Sequence, residues 1–83
     1  MIEAEVRAQL RAFIVKDLIK DAKYPLADDE NLIANGLIDS FSLAEIGVFA
    51  EQQFDVYIPD PDLTVAKMNN LNLMVARIMR DAK

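Results

Sequence analysis

Apolar residues recur at helical spacing in three stretches of the chain and alternate in a fourth. Val6, Leu10, Phe13 and Ile14 fall on one side of a helix, with Arg7, Arg11, Lys16 and Lys20 mostly elsewhere, so the spacing predicts an amphipathic helix over about residues 3–21. Tyr24-Pro25 is predicted to end it, because proline disfavours helical geometry in the residue before it. A long connection follows over about 24–39, in which Leu32, Ile33, Leu37 and Ile38 are the expected buried pins and Gly36 marks a turn needing positive φ or a close backbone approach. A second helix is expected over about 40–54. Its wheel places Leu43, Ile46, Gly47, Ala50 and Phe54 toward the core, with Gly47 letting a neighbouring helix come close.

The opposite side of that helix is not simply polar. Phe41, Glu45, Val48 and Gln52 cluster there, with Ala44 and Phe49 at the flanks, so apolar groups are interleaved with carboxylates on an outward face. Beyond it, Phe54, Val56 and Ile58 alternate as an extended connector ending at Pro59. A short helix is expected near 64–68 with Thr64 as its cap, and a last helix over about 71–81 capped by Asn69 or Asn70. Leu71, Met74, Val75 and Ile78 form its inward stripe, and the methionines are core filler, not metal ligands. The expected fold is all-α: one domain over 1–83, a bundle of three longer helices plus one short helix, with a long loop between the first and second.

Charge sharpens this picture. Net charge is −5, yet the segment from Tyr24 to Ala66 holds nine carboxylates and no lysine or arginine, while the remainder carries all 9 basic residues. Such a field repels nucleic acid and anionic lipid and favours a protein partner with a basic patch. The start of the chain mixes charges with apolar residues, unlike a signal peptide, and no stretch approaches a membrane span, so a cytoplasmic, monomeric protein with no membrane insertion is expected.

Composition narrows the chemistry. Cysteine and histidine are both absent, which removes the thiolate nucleophile, the thiolate metal site and the usual general base near neutral pH. Enzymatic activity is not expected. A calcium loop starting at Asp29 would need oxygen-rich ligands where Ile33 and Ser40 stand, and no metal site is expected. Asp39-Ser40 lacks both a histidine and the strand-to-helix elbow of a hydrolase. As a helix cap Ser40 is redundant, because Asp39 caps equally well and Ser42 with Glu45 offers a capping box.

The string Leu32-x-x-x-Gly36-Leu37-Ile38-Asp39-Ser40, an amphipathic helix ending in Phe54, and the run FDVYIPDPDLT together resemble the acyl and peptidyl carrier proteins over nearly the whole chain. The resemblance implies that Ser40, with Asp39 as part of the motif, receives 4′-phosphopantetheine from coenzyme A through a phosphopantetheinyl transferase. The terminal thiol of that group then holds an acyl or aminoacyl group as a thioester. It also implies docking through Phe41, Ala44, Glu45, Val48 and Glu51 onto partners with basic patches: an acyl- or aminoacyl-loading ligase and downstream synthase enzymes. The protein would then be a substrate of enzymes, not an enzyme. Phe41 stands where the family usually has leucine, and Gly47 and Phe49 replace the usual aliphatic residues. The tail DLTVAKMNNLNLM looks more like discrete peptidyl, polyketide or D-alanyl-type carriers, which points to a stand-alone carrier in a specialised lipid, polyketide or nonribosomal peptide pathway. The alternative is an unmodified interaction module of the same fold that binds through its acidic second helix.

Overall fold

The computed structural model describes residues 2–82, and among them it is all helical. Helix α1 spans Glu3–Phe13 and runs directly into a π-helical turn, Ile14–Leu18. Helix α2 spans Ser42–Phe54, α3 spans Val65–Met68 and α4 spans Leu71–Arg80, with a 3₁₀ turn at Asp60–Asp62 between α2 and α3. Three longer helices and a short one are therefore present, as the periodicity predicts.

The inward faces are those the spacing selects. Leu43, Ile46, Gly47, Ala50 and Phe54 of α2 are buried, and Leu71, Met74, Val75 and Ile78 of α4 are fully enclosed. Val6, Leu10 and Ile14 complete the core from the first helix, which packs against α4. Val56 and Ile58 are buried while Asp55 and Tyr57 are exposed, so the extended connector alternates as expected. A buried leucine or isoleucine contributes roughly 1.5–3 kcal/mol relative to exposure. This shared interior is what holds the four helices together, with no strand among the described residues and no disulfide to help them.

The end of the first helix departs from the simple pattern. The Ile19 N–H bonds to the Ile14 carbonyl at 2.8 Å, five residues back, and the Asp21 N–H reaches the Val15 carbonyl at 2.8 Å. The wider turn lets two consecutive residues, Ile14 and Val15, both face inward. Helical structure stops at Leu18, short of the expected residue 21, and the chain turns at Lys20, which has φ 65°. Proline at position 25 comes too late to be the terminator.

Connection 19–41 is long but not loose. Leu32 and Ile38 are buried, Ile33 and Leu37 are half-buried, and Gly36 adopts φ +78°. No atom lies within 4 Å of where a Cβ on Gly36 would sit, so positive φ and not close approach explains the glycine. Arg11 bonds the Leu26 carbonyl and Asp28, Arg7 reaches Asp28 at 3.2 Å, and the Tyr24 hydroxyl donates to Glu30. From the other end, the Asn69 side-chain carbonyl accepts the N–H groups of Ile33 (3.1 Å) and Ala34 (3.3 Å), and the Asn69 backbone carbonyl accepts Leu32 N–H at 2.8 Å. Neighbouring Asn70 caps α4 by accepting Leu73 N–H at 2.8 Å. Thr64 occupies the N-cap position of α3, but its side chain makes no capping bond there.

Midway along α2 the expected close approach at Gly47 is made by a side chain, not by a helix. A Cβ at Gly47 would lie 3.1 Å from Leu63 Cδ1. Leu63 is held over that spot by its neighbour Asp62, which bonds Lys67 at 2.9 Å and the buried Arg77 at 3.0 Å. Those hydrogen bonds, from Lys67 first and then Arg77, hold the Asp62 carboxyl below the usual carboxylate range.

Two stability predictions follow from these ties. Asn69→Ala orphans two loop N–H groups and is expected to lower unfolding free energy by about 1–3 kcal/mol, with amide exchange accelerated over 31–38. Equilibrium urea unfolding and hydrogen exchange check it. Asp62 has a folded pKa below its unfolded one, so its contribution is present above the unfolded value and is lost as pH falls through the folded one. Asp62→Asn should therefore be less stable at pH 7 and lose less further stability on acidification below about pH 4, measured as urea midpoints across pH.

Candidate functional site

Gly36-Leu37-Ile38-Asp39-Ser40 delivers the chain from the loop to α2, and each residue has a distinct task. Gly36 makes the turn, Ile38 anchors the segment in the core, and Asp39 closes the helix end. The Asp39 carboxylate accepts Ser42 N–H at 3.0 Å and the Ser42 hydroxyl at 3.2 Å. Ser42, Leu43 and Ala44 N–H groups turn back to the carbonyls of Asp39, Ser40 and Phe41, so the first turn is tightened by bonds spanning three residues. Regular α-helix accordingly begins at Ser42, two residues after the expected start. The anticipated Ser42–Glu45 capping box does not form, because Ser42 donates to Asp39 instead.

Ser40 is left exposed, and its hydroxyl makes no hydrogen bond among the described residues. An open depression of about 620 Å³ lies beside it, bounded by Leu18 of the π turn, Ile33 and Leu37 of the loop, Ser42 and Val65 of α3. Loop, first helix and third helix thus meet around this one serine. The arrangement offers a primary hydroxyl with free approach, at the positive end of a thirteen-residue helix dipole. No histidine or cysteine stands near it to act as base, since the sequence has neither.

Along α2 the sequence-selected residues gather on one outward face. Phe41 is 84% exposed and Val48 53% exposed, and Ala44, Glu45 and Glu51 are exposed with them. Phe49 is different: its ring stacks on Phe13 of α1 at 4.3 Å and meets Phe54 edge-on at 5.7 Å, so it is an interhelical packing residue. The Ala44–Val48 ridge separates two grooves. One, of about 490 Å³, lies toward α1 between Phe13, Asp17, Glu45, Phe49 and Gln52. A smaller one, of about 190 Å³, lies toward the connector between Gly47, Glu51, Tyr57, Ile58, Asp60 and Leu63. Tyr57 is 65% exposed and belongs to this surface although the outward face of α2 alone does not reveal it. Its place between Val56 and Ile58 in the alternation was the available signal.

The carboxylates are not equivalent. Asp28 is paired with Arg7 and Arg11, and Asp62 with Lys67 and Arg77, so these are tied to the basic ends of the chain. Glu45 and Glu51 have no cationic partner among the described residues. The negative field that survives pairing is therefore carried in part by the exposed face of α2. Among the described residues no group of acids could hold a metal ion, and no helix is long and apolar enough to cross a membrane.

Comparison with known proteins finds no matching family model, no matching curated protein and no matching solved structure. Fold and site together define a small helical bundle that displays an unbonded serine at the foot of an acidic, partly apolar helix.

The division of labour at this junction is open to measurement. Asp39→Ala removes the cap and is expected to cost about 0.5–2 kcal/mol, whereas Ser40→Ala, which deletes no intramolecular bond, should change stability by less than about 0.5 kcal/mol. Thermal or urea unfolding of the two variants side by side distinguishes them.

Proposed function

We propose that the protein is an acyl or aminoacyl carrier and that Ser40 is the attachment point of 4′-phosphopantetheine. The observation that carries this reading is the Ser40 hydroxyl itself, exposed and without a hydrogen bond while Asp39 caps the helix. In the transfer, the Ser40 Oγ attacks the phosphorus of coenzyme A that bears the pantetheine. The pyrophosphate bond breaks, the adenosine bisphosphate leaves, and the hydroxyl proton passes to a base of the transferase. Nothing in this step asks the carrier for a base of its own, which suits a chain without histidine.

The residues around Ser40 fit the group. A phosphodiester there would face the positive end of α2, worth roughly 0.3–1 kcal/mol at a surface. The depression beside Ser40, with Leu37 and Val65 on its walls, gives a flexible arm room to lie against the protein before it swings away. When bound, the prosthetic group supplies the thiol that the sequence lacks and carries cargo as a thioester. The chain's own residues hold the root still and present the docking face: Phe41, Ala44 and Val48 as apolar contacts, Glu45 and Glu51 as charges that orient a basic partner. The partners are a phosphopantetheinyl transferase, a loading ligase and the synthase enzymes that accept the cargo. Phe41 at the residue after the attachment point favours a dedicated partner set in a specialised pathway, since an exposed ring needs a matching hollow.

A second reading is favoured by the same exposed face: Phe41 and Val48 beside unpaired Glu45 and Glu51 could serve an interaction module that carries nothing. Intact mass separates the two. After coexpression with a promiscuous phosphopantetheinyl transferase, the wild-type chain is expected to gain the mass of one phosphopantetheine, and Ser40→Ala to gain none while remaining folded. A folded wild type that no transferase modifies would overturn the carrier reading and leave the module.

A further inference from the structure

The groove between α1 and α2 brings aromatic and acidic side chains together. Its floor is the Phe13–Phe49 pair, stacked with planes 14° apart and only half-buried, so ring edges remain open to the outside. Ala44 and Val48 form one wall, and Asp17 and Glu45 stand at the rim. No lysine or arginine lines it; Lys16 lines the adjoining groove, which shares Phe13, Asp17 and Phe49 with this one. Asp17 lies within the π turn, and neither it nor Glu45 is paired with a cation among the described residues, in contrast to Asp28 and Asp62. Two carboxylates without a cationic partner beside partly open rings form a surface complementary to a partner that is both basic and apolar.

We propose that this groove receives a cationic amphipathic helix of a partner protein, one apolar side chain resting on the Phe13–Phe49 pair and lysine or arginine side chains over Asp17 and Glu45. The volume, about 490 Å³, suits a large anchor side chain and its flanking turns, the helix-in-groove mode of recognition. Charge selects the class of occupant. Nucleic acid and an anionic bilayer would both bring negative charge to a negative rim. A second copy of this chain is a poor match, because among the described residues Arg7, Arg11, Lys67, Arg77 and Arg80 already face carboxylates. The other cations among the described residues, Lys16, Lys20 and Lys23, lie at and beyond the exit of the first helix and present no basic apolar helix face. The site shares Ala44, Glu45 and Val48 with the docking face described above and deepens that part of the reading, adding α1 to it, but it does not require Ser40 to be modified.

The test titrates the unmodified full chain, isotopically labelled, with a designed leucine–lysine amphipathic helix of about five turns and follows amide shifts. The expected result is saturable binding with shifts centred on Asp17, Glu45, Phe49 and Gln52 and with Leu63 unmoved. Asp17→Lys should weaken binding about fivefold or more, while Asp29→Lys, the same charge change at an exposed loop site, should weaken it less than about twofold. Gln52→Lys on the groove rim gives the same readout if Asp17→Lys fails to fold. Absence of saturable binding, shifts centred instead on Tyr57 and Leu63, or equal losses for the groove and loop variants would each overturn the proposal. Phosphopantetheine mass gain at Ser40 is read independently, so docking without modification would refute the carrier alone, and modification without docking would refute this groove alone.

Discussion

Placing Ser40 depends on one asparagine at the opposite end of the chain. Connection 19–41 has no regular helix, and a segment of that length would otherwise leave the start of α2 with a poorly fixed approach. Asn69 resolves this by offering three hydrogen bonds to successive loop residues, two through its side chain and one through its backbone. Because Asn70 next to it caps α4, the same junction that starts the last helix also anchors the loop. Leu32 and Ile38 then bury on either side of the Gly36 turn, and Asp39 arrives where it can cap α2. Order at the serine is thus inherited from the core through the α3–α4 corner, not generated by the loop itself.

Electrostatics follows the same division between what is tied down and what is displayed. Arginines from α1 reach Asp28, and Arg77 from α4 reaches Asp62, so the two basic ends of the chain clamp the acidic middle at its flanks. The Asp28 contacts are partly exposed and contribute modestly to stability, since surface ion pairs are worth about 0–1 kcal/mol each, whereas the Arg77–Asp62 pair is largely enclosed. Their larger effect is on the field. Once Asp28 and Asp62 are paired, Glu45 and Glu51 on α2 remain unpaired around the exposed Ala44 and Val48, so negative charge and apolar contacts share one face of that helix.

Much of the fold was legible because burial here obeys a 3.6-residue period. The inward stripes of α2 and α4 are those the spacing selects, and the alternation at Phe54, Val56 and Ile58 identifies the connector. What escaped was whatever broke that period or crossed between elements. Ile14, Val15, Leu18 and Ile19 repeat at intervals of four and five, the spacing of a wider helix, but a wheel drawn at 100° per residue cannot register it. Lys20 in a left-handed conformation carries no compositional signal, since lysine does not favour that region. The Asn69 tie joins residues 36 and 35 positions apart, and nothing local distinguishes Asn69 from Asn70. At the site, the outward positions of Ser40, Phe41 and Val48 were legible from the wheel and from redundant capping. Phe49 was placed only at the flank, because its stacking on Phe13 is a contact between helices and leaves no trace in the spacing of either one.

Helix α2 splits its surface between packing and display. Its buried face commits five residues to the core, which fixes its direction. Its exposed face keeps separated apolar contacts, Phe41, Ala44 and Val48, with carboxylates between them. Affinity from such a patch rests on a few anchors, while the unpaired carboxylates beside them accelerate and orient encounter more than they lengthen residence. On the carrier function proposed above, rapid association with short residence is the kinetic character that would suit a group rooted at Ser40. Asp39 makes this compatible with a stable helix: by taking the capping role next to Ser40, it leaves the serine hydroxyl without a structural duty.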